Sequence, residues 1–100
     1  MINEIATSLG VLLVLFWIFY DLKQRNTRIV DPRGYERNGY GKLIHRDVAY
    51  HYIYKEGYPH KYPERFGTYD IHHIDGNKRN NSPENLQVLT RAEHMTKHGR

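Results

Sequence analysis

Between Ile5 and Tyr20 the chain carries no charged side chain, and from Val11 to Tyr20 every residue is hydrophobic. A stretch apolar all round lacks the polar face of an ordinary surface helix. The first 22 residues hold 16 of the 39 hydrophobic residues in a chain of 100, which leaves 23 for the other 78 positions. The pattern predicts three parts: a hydrophobic helix over 1–22, a polar linker over 23–34 broken by Pro32 and Gly34, and a small polar domain over 35–100. At about 1.5 Å rise per residue, the run from Ile5 to Tyr20 makes roughly 24 Å of helix against a hydrocarbon core of about 30 Å. Met1, Ile2 and Leu22 extend it, and Trp17 and Tyr20 suit an interface, so a short transmembrane helix is expected. A cleaved signal peptide fits less well, because Glu4 precedes the run, no cation does, and no small-x-small cleavage site follows. Lys23, Arg25 and Arg28 follow directly, which predicts a membrane anchor through residues 5–20 with the N-terminus outside and the domain in the cytoplasm.

The domain has no cysteine, which excludes a disulfide scaffold, a Cys-ligated zinc site and a thiol nucleophile. Asn38-Gly39, between tyrosine-bearing flanks, signals a short hairpin. Asp47 to Glu56 places Val48, Ala49, Tyr52 and Ile53 at helical spacing, with Asp47 as a possible cap and Gly57 as a stop. Tyr58 to Phe66 reads as a loop, Thr68 to Ile74 alternates like a strand, Asp75 to Asn85 is a turn-rich loop, and Leu86 to Leu89 is a second strand. Thr90 and Glu93 form a capping box opening a helix that Gly99 should stop. The fold class is therefore α+β. With so few aliphatic residues, most of the eight tyrosines beyond Lys23 are expected to serve as core and rim.

Seven histidines invite a metal reading, and spacing selects among them. His94 and His98 lie four apart on the capped helix, one turn from each other on one face. The adjacent pair His72-His73 closes the preceding strand. Neighbours in a regular strand point to opposite faces, so the pair is expected where the strand breaks into the loop at Asp75-Gly76. His45, His51 and His60 have no spacing that joins them to this group and are read as structural, with His45-Arg46 an outside candidate for a phosphate contact.

The run HHIDGNKRNNSPENLQVLTRAEHMTKH, with its leading histidine pair, its NN and NL stretch (Asn80, Asn81, Asn85, Leu86) and its closing EH and H, resembles the core of the HNH endonucleases. These are nucleases of the ββα-metal, or His-Me finger, fold. The resemblance covers Tyr69 to Gly99, and more loosely the upstream GYGKLIHRDVAYHYIY. It implies a ββα-metal core preceded by a short hairpin and helix. It further implies His73 as general base, His72 and His94 as metal ligands, His98 as a third ligand found in the all-histidine branch, and Asn85 as the central asparagine that holds the loop. The Cys-x-x-Cys knuckles of many such proteins are missing, so Asp75, Asn77, Asn80 and Asn81 are expected to order the loop by hydrogen bonds.

Phosphodiester hydrolysis needs a water, a base to take its proton, and a cation against the charge developing on phosphate and leaving oxygen. An imidazole, with an ordinary pKa of about 6.5, suits the base role. One divalent ion is implied: magnesium or manganese for catalysis in the family, with zinc or nickel compatible with imidazole ligands. From Lys23 onward 15 Lys+Arg stand against nine Asp+Glu, an excess of +6 that favours a polyanion such as DNA or an anionic lipid surface. Lys78, Arg79, Arg91 and Lys97 lie within the motif and are the candidate phosphate contacts. Two rivals stand beside the nuclease: a non-catalytic, metal-stabilised nucleic-acid-binding module of the same fold, and a membrane-surface protein whose histidines only staple the fold.

Overall fold

A computed structural model describes residues 2–98, and side chains over 8–97. The elements run α1 (Ile2–Asn26), β1 (Ile29–Val30), β2 (Glu36–Arg37), α2 (Ile44–Ala49), α3 (Lys55–Gly57), β3 (Asp70–His73), β4 (Leu86–Leu89) and α4 (Arg91–His98). Two antiparallel pairs result, β1 with β2 and β3 with β4, so the class is α+β.

The expectation of a membrane-spanning N-terminal helix is corrected. The helix forms, yet among the described residues no helix is long and apolar enough to cross a membrane. The charge-free run falls several ångströms short of the hydrocarbon thickness. Beyond it α1 continues through the polar residues Asp21, Lys23, Gln24, Arg25 and Asn26, and Asp21, Arg25 and the Gln24 carbonyl are engaged in the fold. Arg25 pairs with Asp21 at 2.9 Å, Tyr40 Oη donates to Asp21 at 2.8 Å, and the Gly39 N–H donates to the Gln24 carbonyl at 2.8 Å. A membrane anchor through residues 5–20, and with it the external N-terminus and cytoplasmic domain, is therefore withdrawn. The apolar side chains from Leu9 to Tyr20 are exposed.

Asn38-Gly39 does make a tight turn, its ends joined by Asn38 N–H to the Lys42 carbonyl at 2.9 Å and by a bridge between Arg37 and Leu43. The regular partner of β2, however, is β1, from the segment read as linker: Ile29 faces Arg37 and Val30 faces Glu36. Asp31 closes the connection by accepting the N–H groups of Arg33 and Tyr35, both at 3.0 Å. A side chain at Gly39 would run into Gln24 of α1, so glycine there permits the close approach of turn and helix.

The central helix starts three residues before the expected Asp47, and Tyr50–Tyr54 between α2 and α3 is a π-helical turn. One i→i+5 turn shifts the buried face by a residue. Tyr54 therefore enters the core, while Tyr52, expected on the apolar face, is 62% exposed. The core joins Ala49, Tyr54, Tyr62, Tyr69, Ile71, Leu86 and Val88, flanked by Val48, Ile53 and Phe66. Two of these tyrosines bury their rings while their hydroxyls stay bonded: Tyr54 Oη donates to the Glu64 carbonyl at 2.6 Å, and Tyr69 Oη accepts the Glu64 N–H at 3.1 Å. Arg46, weighed as a phosphate contact, is instead committed to the fold. Its guanidinium donates to the carbonyls of Tyr69 and Phe66 at 3.1 and 3.2 Å and lies 4.5 Å over the Phe66 ring.

Candidate active site

All four residues of β3 pair with β4: Asp70 with Leu89, Ile71 with Val88, His72 with Gln87, His73 with Leu86. Burial alternates along it, Ile71 and His73 buried, Asp70 and His72 half-buried. The strand thus runs regularly through both histidines and breaks directly after them, the turn beginning at Ile74. The adjacent histidines accordingly meet different neighbours.

His72 faces α4. Its ring meets the His94 ring edge-on with centroids 5.6 Å apart, and His94 Nδ1 lies 3.1 Å from Asp70 Oδ2. Asp70 was not among the sequence candidates, although its position two residues before His72 puts it on the same strand face. A carboxylate bonded to an imidazole is the usual means of orienting a metal-ligating histidine. The donor set of two imidazoles in contact with a carboxylate behind one of them fits a divalent transition ion. His98 ends α4, but its side chain lies outside the described residues, as does Gly99. Among the described residues, no group of three His, Cys, Asp or Glu side chains is gathered closely enough to hold an ion.

His73 faces the opposite way and is 7% exposed. Its Nε2 lies 2.8 Å from Asn81 Oδ1, and Asn81 Nδ2 donates in turn to Glu36 Oε1 at 3.2 Å. His45, from the first turn of α2, lies with its ring centroid 5.1 Å from that of His73, and Tyr35 stacks on His45 at 4.9 Å. His45 is buried as expected of a structural residue, and its Nδ1 has no hydrogen-bond partner among the described residues. Burial, reinforced by the neighbouring His73 and then Arg46, pushes its pKa down to about 4, so it stands as a neutral aromatic wall beside His73.

The loop between the strands is built around Asn85, which is buried. Its Nδ2 donates to Asp75 Oδ1 at 2.9 Å and to the Asn80 carbonyl at 2.8 Å, while its Oδ1 accepts the Asp75 N–H at 3.0 Å. Asp75 also accepts from the Asn80 side chain and the Asn77 N–H, both at 2.8 Å. These bonds, the one from Asn80 first, hold its carboxyl below the ordinary carboxylate range. Asn77 Oδ1 accepts the Arg79 N–H at 3.0 Å, and Gly76, at φ +76°, makes the turn. The loop is thus ordered by hydrogen bonds through Asp75, Asn77 and Asn80, as the sequence predicts, whereas Asn81 is spent on His73.

Of the candidate cations, Lys78 donates to the Arg33 carbonyl at 2.8 Å and sits 4.8 Å over the Tyr35 ring, and Arg79 lies 3.6 Å from the Glu36 carboxylate. Lys78 ties the loop to the segment leading into β2 and Arg79 ties it to β2 itself, and both remain exposed, as do Arg91 and Lys97 on α4. The α4 capping box forms: the Thr90 N–H donates to Glu93 Oε1 at 2.8 Å, and the Glu93 N–H to Thr90 Oγ1 at 3.1 Å.

Residues 42–96 match the family described as HNH endonuclease. Over 80 residues the chain is 36% identical to the "SPbeta prophage-derived putative HNH homing endonuclease YosQ" of Bacillus subtilis (strain 168). That match covers 72% of this chain and 41% of the relative, so the chain spans less than half of the relative's length. No solved structure matches the chain.

Proposed function

The chain belongs to the HNH endonuclease family, and from that premise we propose that it hydrolyses DNA phosphodiester bonds with His73 as general base. The observation that carries the reading is the arrangement on β3: His73 is buried against Asn81 on one face, while His72 meets His94, itself bonded to Asp70, on the other. A base must keep its lone pair off the metal, and opposite strand faces separate the two roles.

His73 accepts a proton from a water as the water oxygen bonds to phosphorus. The bond from phosphorus to the 3′ oxygen breaks, leaving a 5′-phosphate and, once that oxygen is protonated, a 3′-hydroxyl. His72 and His94, with His98 as third ligand, would hold a divalent cation, magnesium or manganese in catalysis with zinc or nickel compatible, which would supply positive charge against the charge developing in the reaction. Asp70 orients His94. Asn85 acts through the loop, fixing the chain that leaves His73. Lys78, Arg79, Arg91 and Lys97 supply phosphate contacts, and the +6 excess supports a polyanionic substrate.

The test is incubation of supercoiled plasmid with the purified chain and magnesium or manganese, with and without chelator. Nicked or linear product that DNA ligase reseals supports the reading. Binding to DNA with no cleavage under either metal refutes it in favour of a non-catalytic module.

A further inference from the structure

We propose that Glu36 is a positioning residue that sets the tautomer of His73 through Asn81, leaving Nδ1 as the nitrogen that receives the proton from water. The proposal rests on the reading of His73 as the base and adds which of its atoms acts and what decides this.

An amide side chain presents an oxygen at one end and an NH₂ at the other, and these are assigned from their partners. Asn81 lies between two groups. On one side is the Glu36 carboxylate, which only accepts hydrogen bonds. It therefore takes the NH₂ end of Asn81, at 3.2 Å. The oxygen end must then face His73, 2.8 Å from Nε2. An amide oxygen only accepts, so Nε2 must carry the hydrogen and Nδ1 is bare in the neutral ring. Glu36 thus dictates a proton position on a ring it does not touch. The relay is itself held in place: the Glu36 side chain is only 14% exposed, Arg79 lies 3.6 Å from its other oxygen, and β2 places it in register with Val30. Tyr35, the residue before it, closes the stack on His45, which packs against His73.

The relay also serves the protonated ring. When Nδ1 has taken the proton, Nε2–H still donates to the Asn81 oxygen, so the partner of the ring need not rearrange. The segment leading into the hairpin, outside the ββα core, therefore contributes to the base.

The experiment uses the full chain with ¹⁵N-labelled histidine. Two-bond ¹H–¹⁵N correlation at a pH where His73 is neutral reads its tautomer, and plasmid cleavage gives kcat and KM. The wild type should show Nε2–H alone. Glu36→Gln can face Asn81 with either end, so Asn81 is released to turn over. The Nε2–H fraction should fall about twofold or more, with kcat falling in proportion and KM unchanged. The double variant Glu36→Gln with Asn81→Asp restores a single arrangement, because the amide introduced at position 36 then donates to the carboxylate introduced at position 81, and that carboxylate accepts from Nε2–H. Tautomer and kcat should both recover. A Glu36→Gln protein that keeps Nε2–H alone and full kcat overturns the proposal, as does a double variant that recovers neither. Failure of the base reading is distinct: His73→Ala would then cut as fast as wild type, whatever the tautomer in the unmutated protein.

Discussion

Replacing Asn85 with alanine removes three hydrogen bonds at once from the loop between β3 and β4. One goes to the Asp75 carboxylate at 2.9 Å, one to the Asn80 carbonyl at 2.8 Å, and one is accepted from the Asp75 N–H at 3.0 Å. A bond to a charged group contributes about 1.5–3 kcal/mol net and a neutral one about 1 kcal/mol. Asp75 is exposed and Asn80 half-buried, so water replaces part of what they lose. The expected cost of Asn85→Ala is therefore about 2–4 kcal/mol, a large share of the stability of so small a domain. Asn85→Asp should be worse at neutral pH, because it sets a second carboxylate against Asp75 and turns an acceptor toward the Asn80 carbonyl. Urea unfolding of wild type and both variants measures this, with the slope against denaturant checked for constancy. A loss under about 0.5 kcal/mol in Asn85→Ala, or an Asn85→Asp protein more stable than Asn85→Ala, would refute the assignment of Asn85 as the hub of the loop.

Two further outcomes follow from the same geometry. His45 is neutral in the fold down to about pH 4, whereas in the unfolded chain it takes a proton near its ordinary 6.5. The unfolded state thus binds more protons across that window, and stability should fall on acidification from about pH 6.5 to about 4, by up to about 3 kcal/mol. His45→Phe should flatten the slope there, and an equally steep wild-type and variant profile would contradict it; the depressed Asp75 carboxyl adds its own loss only as the pH falls through the carboxylate range. Asp70→Ala should weaken manganese binding about 10- to 100-fold by calorimetry, since His94 loses the carboxylate that orients it. Unchanged affinity would mean that Asp70 plays no part in metal binding.

What the sequence displayed was mostly local. The Thr90 and Glu93 capping box, the bounds of β4, the Asn38-Gly39 turn and the side chains ordering the loop around Asp75 each depend on residues within a few positions of one another, and each appears where the pattern predicts. The tyrosine core was legible for a compositional reason, because so few aliphatic residues remained to fill it. The misses were cases in which distant parts of the chain decide the outcome. The π turn over Tyr50–Tyr54 carries no clear sequence signal, yet it exchanges Tyr52 for Tyr54 in the core. The pairing of β2 with Ile29–Val30 rather than across Asn38-Gly39 depends on the Asp31 turn. The neighbours of His73 come from positions 35, 45 and 81, with Glu36 behind Asn81, brought together only by the fold. The membrane expectation failed for a different reason: extending a short greasy run with Met1, Ile2 and Leu22 overlooked how soon α1 becomes polar and fastens to the domain through Asp21 and Gln24.

The central claim is that His73 is the group that activates water, and one comparison reaches it most directly: the single-turnover rate of plasmid cleavage by the full chain and by His73→Ala, at saturating manganese and with equal melting temperatures verified. A general base contributes about 10²–10⁴-fold, and His73→Ala should be slower by that factor while binding DNA and metal as the wild type does. Equal rates in the two proteins would contradict the account.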